Sequence, residues 1–359
     1  MSLPTPRIEI YPERIAFNAR SIINLCHSHG ARVACVTKAV CAHPTIAQVM
    51  AFSGADMLAD ARLPNLESNS KLGLGLPLML VRIPALSTAA EVVRLAAYSL
   101  NSSFEGLQSL SAAAHTLKVH HQVIIMVDVG DLREGLWPDR VLEVVRQAAG
   151  LPNLDVIGLG SNLGCFGGVV PTPENMQLLV GLRDICRRET GLELNTISGG
   201  NSANLPLLLS GGMPAEVNHF RVGETLLLGR SVYDRSPWPV TRQDTFRIVA
   251  EVLEIGNKPS IPIWRRGPDA FGGSTDFIDR GIRRRAICNI GRQDVHLDGL
   301  EPEDPGIIVL GGSSDHLVLD VQDAHFEVCL GGEIAFRPNY GALLAAFTSD
   351  FVAKMVVEG

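Results

Sequence analysis

Short β-prone apolar runs alternate with helical stretches between about residues 14 and 230, and this alternation constrains the fold more than any other feature. The eight runs are residues 33–36, 57–59, 78–81, 99–100, 123–127, 156–159, 194–197 and 217–221. Such alternation is typical of parallel β/α units rather than of antiparallel proteins. We therefore predict an α/β fold with a (β/α)8 barrel of the TIM type. A doubly wound sheet is the weaker alternative, because no G-x-G-x-x-G motif follows the first run.

Helix signals lie between these runs. Thr172, Pro173 and Glu174 form the pattern of an N-cap, a first-turn proline and a first-turn acid. A helix is predicted to begin there and to end at Gly191. In the first helical stretch, the apolar residues that share one face are Ile15, Ala19, Ile22, Ile23 and Cys26.

The sequence changes character after the Ser-Pro-Trp-Pro segment at residues 236–239. Strand-like runs separated by Gly, Pro and Asp follow at residues 245–255, 286–290, 306–310, 316–321 and 333–336, and a helical pattern returns only at residues 340–356. We predict a barrel domain over residues 11–235 and a mostly β domain over residues 236–359. The extended segment 7–10 is expected to join the β domain.

The composition excludes several classes of protein. With 46% hydrophobic and 19% charged residues among 359, the chain is too apolar for intrinsic disorder. Its net charge of −7 disfavours a nucleic-acid partner, although residues 283–285 form a local arginine triplet. No apolar run reaches the roughly 18 residues of a membrane helix, and the N-terminus lacks the pattern of a signal peptide. We expect no membrane partner and a cytoplasmic location.

Cysteine and histidine give little indication of metal binding. The seven cysteines are scattered, with no C-x-x-C pair, and we expect most of them to be small buried apolar residues. The ten histidines form no H-E-x-x-H pattern, so we predict no metal site. His219, two residues before Arg221, is interpreted as a residue of the barrel core.

Lys38 stands two residues beyond the end of the first β-prone run, after Thr37. In a β/α barrel the reactive groups lie at the C-terminal ends of the strands, which places this amine at the mouth of the barrel. Burial there favours the neutral amine, the form that condenses with a carbonyl group to give a Schiff base. A solvated lysine at a strand end is the other interpretation, because most lysines are exposed.

Two glycine-containing loops are suited to an anion. SGGNSA at residues 198–203 follows the seventh run, and Gly223 and Glu224 follow the eighth. Glycines allow close approach of the backbone, helix starts bind phosphate, and barrels often hold phosphate after strands seven and eight. A lysine together with a phosphate loop indicates a cofactor with both an aldehyde and a phosphate, namely pyridoxal 5′-phosphate.

Two arginines have more than one open role. Arg221 ends the eighth run, where it could lie beside a pyridine nitrogen and leave that nitrogen unprotonated, or could pair with Glu224. Arg133 follows the fifth run, where it could contact the cofactor or form an ion pair. The candidate partners for that ion pair are Asp128, Asp131 and Glu134.

Taken together, these motifs resemble those of the alanine racemase-like (fold type III) pyridoxal-phosphate enzymes. The matching stretches, in family order, are VTKAV (36–40), VDVGDLREG (127–135), GLGSNL (158–163), SGGNSA (198–203) and FRVGE (220–224). The ornithine racemase-like branch is the most similar, through NLGCFGG (162–168), GIRRRA (281–286), GRQDV (291–295) and NYGALL (339–344). The resemblance implies a barrel followed by a β domain, and a head-to-tail homodimer in which the β domain of one subunit completes the barrel mouth of the other.

The resemblance also implies roles for single residues. Lys38 would form the Schiff base and act as the base on one face of the substrate, and Arg221 would face the pyridine nitrogen. Asn162 would lie near the cofactor ring, where alanine racemases carry a histidine. The other implied cofactor-binding residues are Arg133, the phosphate-loop residues Gly200, Asn201, Ser202 and Gly223, and Tyr340.

Two positions depart from the alanine racemase pattern. Met126 replaces a family lysine, which excludes a carbamylated lysine there. The family tyrosine that serves as the base on the opposite face is absent from PIWRRG (262–267). Candidates for the missing base are Cys165, Asp269, Tyr340 and a water molecule, and a plain buried thiol is the other interpretation of Cys165.

The function implied by the resemblance is that of an amino-acid racemase, with a basic amino acid such as ornithine or lysine as its substrate. Lys38 would remove the α-proton, and a second group would return a proton to the other face. A non-catalytic pyridoxal-phosphate-binding protein is one alternative, favoured by the absent tyrosine and disfavoured by the full second domain. A D-amino-acid lyase (aldolase or dehydratase) of the same barrel family is another, and metal dependence would favour it.

Overall fold

The computed structural model describes residues 3–273 and 276–357. These residues form two compact units, one of Pro12–Gln243 and one of residues 3–11 together with the described residues from 244 onward. The first strand, β1 (Arg7–Ile10), belongs to the second of these units. No helix in the described ranges is long and apolar enough to cross a membrane.

The first unit is a closed barrel of eight parallel strands in which the last strand pairs back to the first. Its strands are β2 (Arg32–Val36), β3 (Met57–Asp60), β4 (Leu78–Leu80), β5 (Tyr98–Asn101), β6 (His121–Met126), β7 (Leu154–Gly160), β8 (Thr196–Gly200) and β9 (His219–Val222). Its helices are α1 (Pro12–Ser28), α2 (Pro44–Phe52), α3 (Leu63–Lys71), α4 (Ala89–Leu95), α5 (Phe104–Leu117), α6 (Val141–Ala148), α7 (Pro173–Thr190), α8 (Leu205–Leu209) and α9 (Glu224–Leu228). Each of the eight β-prone runs overlaps one barrel strand, so the predicted barrel is confirmed.

An apolar cluster fills the interior of the barrel. Its buried members are Ala34, Val36, Met57, Ala59, Met79, Leu100, Ile124 and Met126. Because alternate residues of a strand point inward, each of the strands β2 to β6 contributes one or two of them. The interior is therefore a packed core, and the groups available for chemistry are those at the strand ends.

The helix signals in the sequence are confirmed. The five apolar residues predicted to share one face of α1 are all buried. Helix α7 begins after Thr172, whose hydroxyl accepts a hydrogen bond from the Asn175 N–H while the Asn175 side chain accepts one from the Thr172 N–H. It ends at Gly191, whose φ of 73° is readily adopted by glycine.

The second unit is built around a mostly antiparallel sheet. Its further elements are β10 (Phe246–Pro259), β11 (Ile282–Cys288), β12 (Leu300–Pro302), β13 (Ile308–Gly312), β14 (Leu317–Asp320), β15 (Glu333–Pro338), α10 (Tyr340–Thr348) and β16 (Ala353–Val356). The main path of the sheet is β12-β15-β10-β11-β14-β13, with β1 antiparallel to β10 and parallel to β16. The predicted mostly β domain is confirmed, and the extended segment 7–10 joins its sheet as expected.

The predicted helix over residues 340–356 is too long. The helix ends at Thr348, and Ser349 adopts an extended conformation with ψ of 126° while its hydroxyl bonds the buried carboxylate of Asp294 at 3.0 Å. The chain then forms β16, which pairs with β1 in the register Arg7↔Ala353. The local sequence pattern does not predict a pairing between β16 and β1, because the two strands lie far apart in the chain.

The arginine triplet at residues 283–285 is tied to its own unit. Arg283 forms ion pairs with Asp320, at 2.9 Å, and with Asp323. Arg284 donates to the Val328 carbonyl at 2.8 Å, and Arg285 to the Ser260 carbonyl at 2.9 Å. These contacts hold the three side chains within their own unit, as the interpretation of a local cluster expects.

Candidate active site

Lys38 opens a short 3₁₀ turn (Lys38–Val40) directly after β2 and Thr37. Thr37 fixes this point of the chain, since its hydroxyl donates to Asp60 Oδ2 at 2.7 Å and accepts from Asn69 Nδ2 at 3.1 Å. Burial lowers the pKa of Lys38 below the ordinary lysine value. Cys165 acts on the pKa of Lys38 in the opposite direction. The structure thus favours the partly buried amine over the solvated lysine.

Arg221 lies on β9 and is 4% exposed. Its guanidinium donates from Nη2 to the Ser161 carbonyl at 2.7 Å and from Nη1 to the Ser198 hydroxyl. Burial lowers the pKa of Arg221 to about 10, so the side chain stays charged at neutral pH. The alternative of an Arg221–Glu224 pair is wrong, because the carboxylate of Glu224 pairs with Arg235 instead.

Ser198 connects Arg221 to a histidine in the same barrel. Its hydroxyl oxygen lies 2.7 Å from His219 Nδ1. Burial lowers the pKa of His219 to about 3, and the Arg221 charge acts in the same direction, so the imidazole is neutral. Since the hydroxyl accepts from Arg221, its own proton is directed to Nδ1. His219 is a buried barrel residue as predicted, but its contact with Ser198 was not predicted from the sequence.

The loops after β7, β8 and β9 are joined by hydrogen bonds around Asn201. Its Nδ2 donates to Asn162 Oδ1 and to the Leu163 carbonyl, both at 2.9 Å. Ser202 accepts from the Thr225 N–H at 3.3 Å, which links the loop after β8 to the start of α9. These contacts bring together Asn162, Asn201 and Ser202, three of the predicted cofactor-binding residues.

Two glycines of these loops are in positions that a larger residue would disturb. Gly200 has a φ of 141°, and a Cβ there would lie 2.1 Å from Asn204 Oδ1. Gly223 passes the end of β2, and a Cβ there would lie 3.3 Å from the Val36 carbonyl oxygen. The loop at Gly223 therefore lies next to the end of β2, two residues before Lys38. An amine, a fixed guanidinium and two glycine-containing loops form a donor set that fits an aldehyde-bearing phosphate cofactor.

Arg133 lies on the loop after β6 and pairs with Glu134 at 2.8 Å. Asp128, another candidate partner, instead accepts from the Gly130 and Leu132 N–H groups at 2.8 and 3.2 Å. The charges of Arg133 and Glu134 act on the pKa values of both Lys38 and Arg221. The four side chains therefore converge at the barrel mouth.

Cys165 is exposed, so its interpretation as a plain buried thiol is wrong. The reason is the loop that carries it, which is anchored by the buried carboxylate of Asp131. That carboxylate accepts from the Cys165 N–H at 3.4 Å, the Phe166 N–H at 2.9 Å and the Val169 N–H at 3.1 Å. With its backbone fixed inward, the loop presents the side chains of Cys165 and Phe166 to solvent. The expectation for the other cysteines holds for Cys26, Cys35, Cys186 and Cys288, which are buried.

A cavity of about 680 Å³ opens beside Lys38. Its charged and aromatic lining consists of Lys38, Arg62, Arg82, Arg133, Glu134 and Phe166. This volume is in the range of small-molecule sites. Arg62 and Arg82 were not predicted as site residues, because a single arginine after a strand has no motif around it.

The other two side-chain candidates for the missing base, Asp269 and Tyr340, belong to the second unit. Tyr340 is the first residue of α10, after the N-cap Asn339. Asp269 accepts hydrogen bonds from the Phe271 and Gly273 N–H groups at 2.9 and 2.8 Å, which hold the pKa of its carboxyl below the ordinary value. Asp269 thus stabilises a turn of its own segment. In the described ranges, no group of His, Cys, Asp and Glu side chains is arranged to hold a metal ion.

Comparison with known proteins gives one consistent result. The family model described as "Alanine racemase, N-terminal domain" matches residues 10–231. A lysine racemase from Thermotoga maritima is 37% identical over 350 residues, covering 98% of both chains. An ornithine racemase from Acetoanaerobium sticklandii is 40% identical over 350 residues, covering 97% of this chain and 99% of its own. Among solved structures, alanine racemase from Clostridium difficile 630 has a TM-score of 0.73 at 16% identity, covering 100% of this chain and 97% of its own, which shows the shared fold.

Proposed function

Because this chain belongs to the alanine racemase family, we propose that it interconverts the L- and D-forms of a basic amino acid such as lysine or ornithine, with pyridoxal 5′-phosphate as its cofactor. It is an amino-acid racemase, since both curated relatives are racemases and match nearly its whole length. The observation that carries the proposal is the partly buried Lys38 amine at the barrel mouth, next to glycine loops and a fixed arginine.

The residues of the mouth suit the two ends of the cofactor. When bound, pyridoxal phosphate supplies an aldehyde that reacts with amines and a ring that delocalises the electrons left by α-proton removal. Lys38 is the amine that would hold the aldehyde carbon, and Arg221 is the cation that would face the pyridine nitrogen. The residues that would hold the remainder are Arg133, Asn162, Gly200, Asn201, Ser202, Gly223 and Tyr340.

The protein's own part in the reaction is to move one proton. Burial lowers the pKa of Lys38 and so increases the neutral fraction that can accept a proton. Racemisation also needs a group on the opposite face of the substrate. Cys165 and Tyr340 are the proposed candidates, and the exposure of Cys165 on an anchored loop supports the former.

The proposal includes the assembly and location of the enzyme. A homodimer with shared active sites is implied by the family resemblance, and we propose in addition that the second unit of the partner copy supplies Tyr340. A cytoplasmic location agrees with seven cysteines that form no disulfide. The assignment of Lys38 depends neither on the homodimer nor on the cytoplasmic location.

Chiral chromatography tests the function directly. The cofactor-loaded protein, incubated with L-lysine or L-ornithine, is expected to give nearly equal amounts of both enantiomers. A Lys38→Ala variant should be inactive, while Lys71→Ala, which removes an exposed lysine of α3, should match the wild type. Recovery of only the starting enantiomer across a panel of amino acids, with cofactor bound, would favour the binding-protein alternative. Release of an aldehyde or keto acid would favour the lyase.

A further inference from the structure

Two arginines, Arg62 and Arg82, lie at the barrel mouth. Arg62 follows β3, and its backbone N–H donates to Asp60 Oδ1 at 2.9 Å. Arg82 follows β4 by two residues. Both side chains are exposed and line the cavity beside Lys38. Within residues 3–273 and 276–357, neither guanidinium makes a hydrogen bond or an ion pair.

The cavity is therefore rich in positive charge. The third arginine of its lining, Arg133, is neutralised by Glu134 at 2.8 Å. Within the part of the chain that the structure describes, the charges of Arg62 and Arg82 have no ion-pair partner, and any charge on Lys38 adds to them. Cations along a concave surface attract anions, and the planar fork of a guanidinium matches the two oxygens of a carboxylate.

The strand order separates this pair from the glycine loops. In the ring β2 to β9, strand β4 lies four strands from β8 and three from β9, and strand β3, which precedes Arg62, lies three strands from β8 and two from β9. Asn201 and Ser202 follow β8, so the proposed phosphate site and the arginine pair lie on different sides of the mouth. A second anion that is present in every turnover is the α-carboxylate of the substrate.

We propose that Arg62 and Arg82 bind the α-carboxylate of the amino-acid substrate, an inference that rests on the proposed function. The pair repels the side-chain ammonium of lysine or ornithine, so it fixes the orientation of a substrate that carries charge at both ends. It also excludes diamines, which lack the carboxylate. Arg62 and Arg82 are thus specificity-determining residues for the reaction.

Two reduced adducts test this assignment by binding rather than by activity. N-(5′-phosphopyridoxyl)-L-lysine and its carboxamide differ only in the carboxylate. Titrated calorimetrically into the cofactor-free protein, the acid should bind at least about tenfold more tightly than the amide, as expected for a charge-assisted pair. The Arg62→Gln/Arg82→Gln double variant should bind both adducts with the affinity that the wild type has for the amide.

A control variant removes one positive charge away from the barrel mouth. Arg20 on α1 is exposed and has no ion pair in the described part of the chain, so Arg20→Gln should keep the preference for the acid. A double variant that retains the wild-type acid-to-amide ratio, or that weakens both adducts equally, would overturn the carboxylate assignment. If the wild type binds neither adduct and borohydride reduction with pyridoxal phosphate leaves Lys38 unlabelled, the proposed function fails and this inference with it.

Discussion

The charge states of the side chains at the barrel mouth follow from how deeply each one is buried. Burial lowers the pKa of Lys38, which increases the neutral fraction of its amine. It lowers the pKa of Arg221 only to about 10, so that guanidinium stays charged. It lowers the pKa of His219 to about 3, so that imidazole stays neutral. The hydroxyl of Ser198 therefore lies between a permanent cation and a neutral ring.

Because His219 is buried, the free energy of unfolding depends on pH. The ordinary histidine pKa is 6.5 and that of folded His219 is about 3, so between these values the unfolded chain binds a proton that the folded chain does not. The free energy of unfolding should thus fall as the pH is lowered below about 6.5, by up to about 1.4 kcal/mol per pH unit for one such group. His121, whose pKa burial lowers to about 4, contributes in the same direction.

Urea unfolding of the cofactor-free protein between pH 7 and pH 4.5 measures this slope. We expect His219→Gln to flatten it, because the variant has no proton to take up at that position on unfolding. His120→Gln changes a neighbour of His121 that is exposed to solvent and serves as the control. An unchanged slope in His219→Gln would contradict a neutral buried imidazole.

The site as predicted from sequence was incomplete for a physical reason. Lys38, Arg221 and the glycine loops are predictable because each lies at or just beyond the end of a β-prone run, where a barrel exposes its reactive groups. The contact of Ser198 with His219 depends on the pairing of β8 with β9, whose register shifts between Ser198 and Gly200. Register is a tertiary property, so the sequence alone did not predict the Ser198–His219 contact.

Elements with strong local signals were predicted well. Helix α7 has a capping box at Thr172 and a glycine with positive φ at Gly191, and both ends agree with the sequence. The short strand β12 was missed because it has three residues and ends in a proline. The strand β16 was predicted as helix, since only its distant partner β1 makes it extended.

The loop after β7 should become more mobile when its anchor, Asp131, is changed. Asp131→Asn removes one of the two oxygens that hold the N–H groups of residues 165–169, and the charge of the other. Hydrogen bonds to charged groups contribute about 1.5–3 kcal/mol, so backbone amides of this loop should exchange with deuterium at least about tenfold faster. Hydrogen exchange followed by mass spectrometry measures this directly.

The same variant tests whether the loop matters for the reaction. If Cys165 acts on the opposite face, Asp131→Asn should lose racemisation while keeping α-proton exchange by Lys38. Asp139→Asn, on the segment before α6, is the control and should change neither property. Unchanged exchange rates at residues 165–169 would contradict the role of Asp131 as the anchor.

At the scale of the whole molecule, the similarity to known racemases extends over both units. The two curated relatives match 98% and 97% of this chain, whereas the family model covers residues 10–231. Because the similarity to racemases includes the second unit as well as the barrel, it agrees with a role for the second unit in the reaction. The proposed homodimer gives it one, through Tyr340.

A subunit-mixing experiment tests this arrangement. Lys38→Ala and Tyr340→Phe homodimers should each be inactive or nearly so. After mixing in equal amounts and re-equilibration, half of the dimers are mixed, and each has one site with both native residues. The mixture should recover about a quarter of wild-type activity, as the two-fold symmetry of a shared site requires. No recovery, with exchange of subunits verified by mass spectrometry, would contradict shared sites.

In the proposed reaction, Lys38 and an opposite-face group together invert the α-carbon of a basic amino acid. The most direct measurement is proton NMR in deuterated water with the cofactor-loaded protein and each enantiomer of lysine or ornithine, combined with chiral analysis. We expect loss of the α-proton signal together with formation of the other enantiomer. Loss of the signal with complete retention of configuration would contradict it, because Lys38 would then act without a partner on the opposite face.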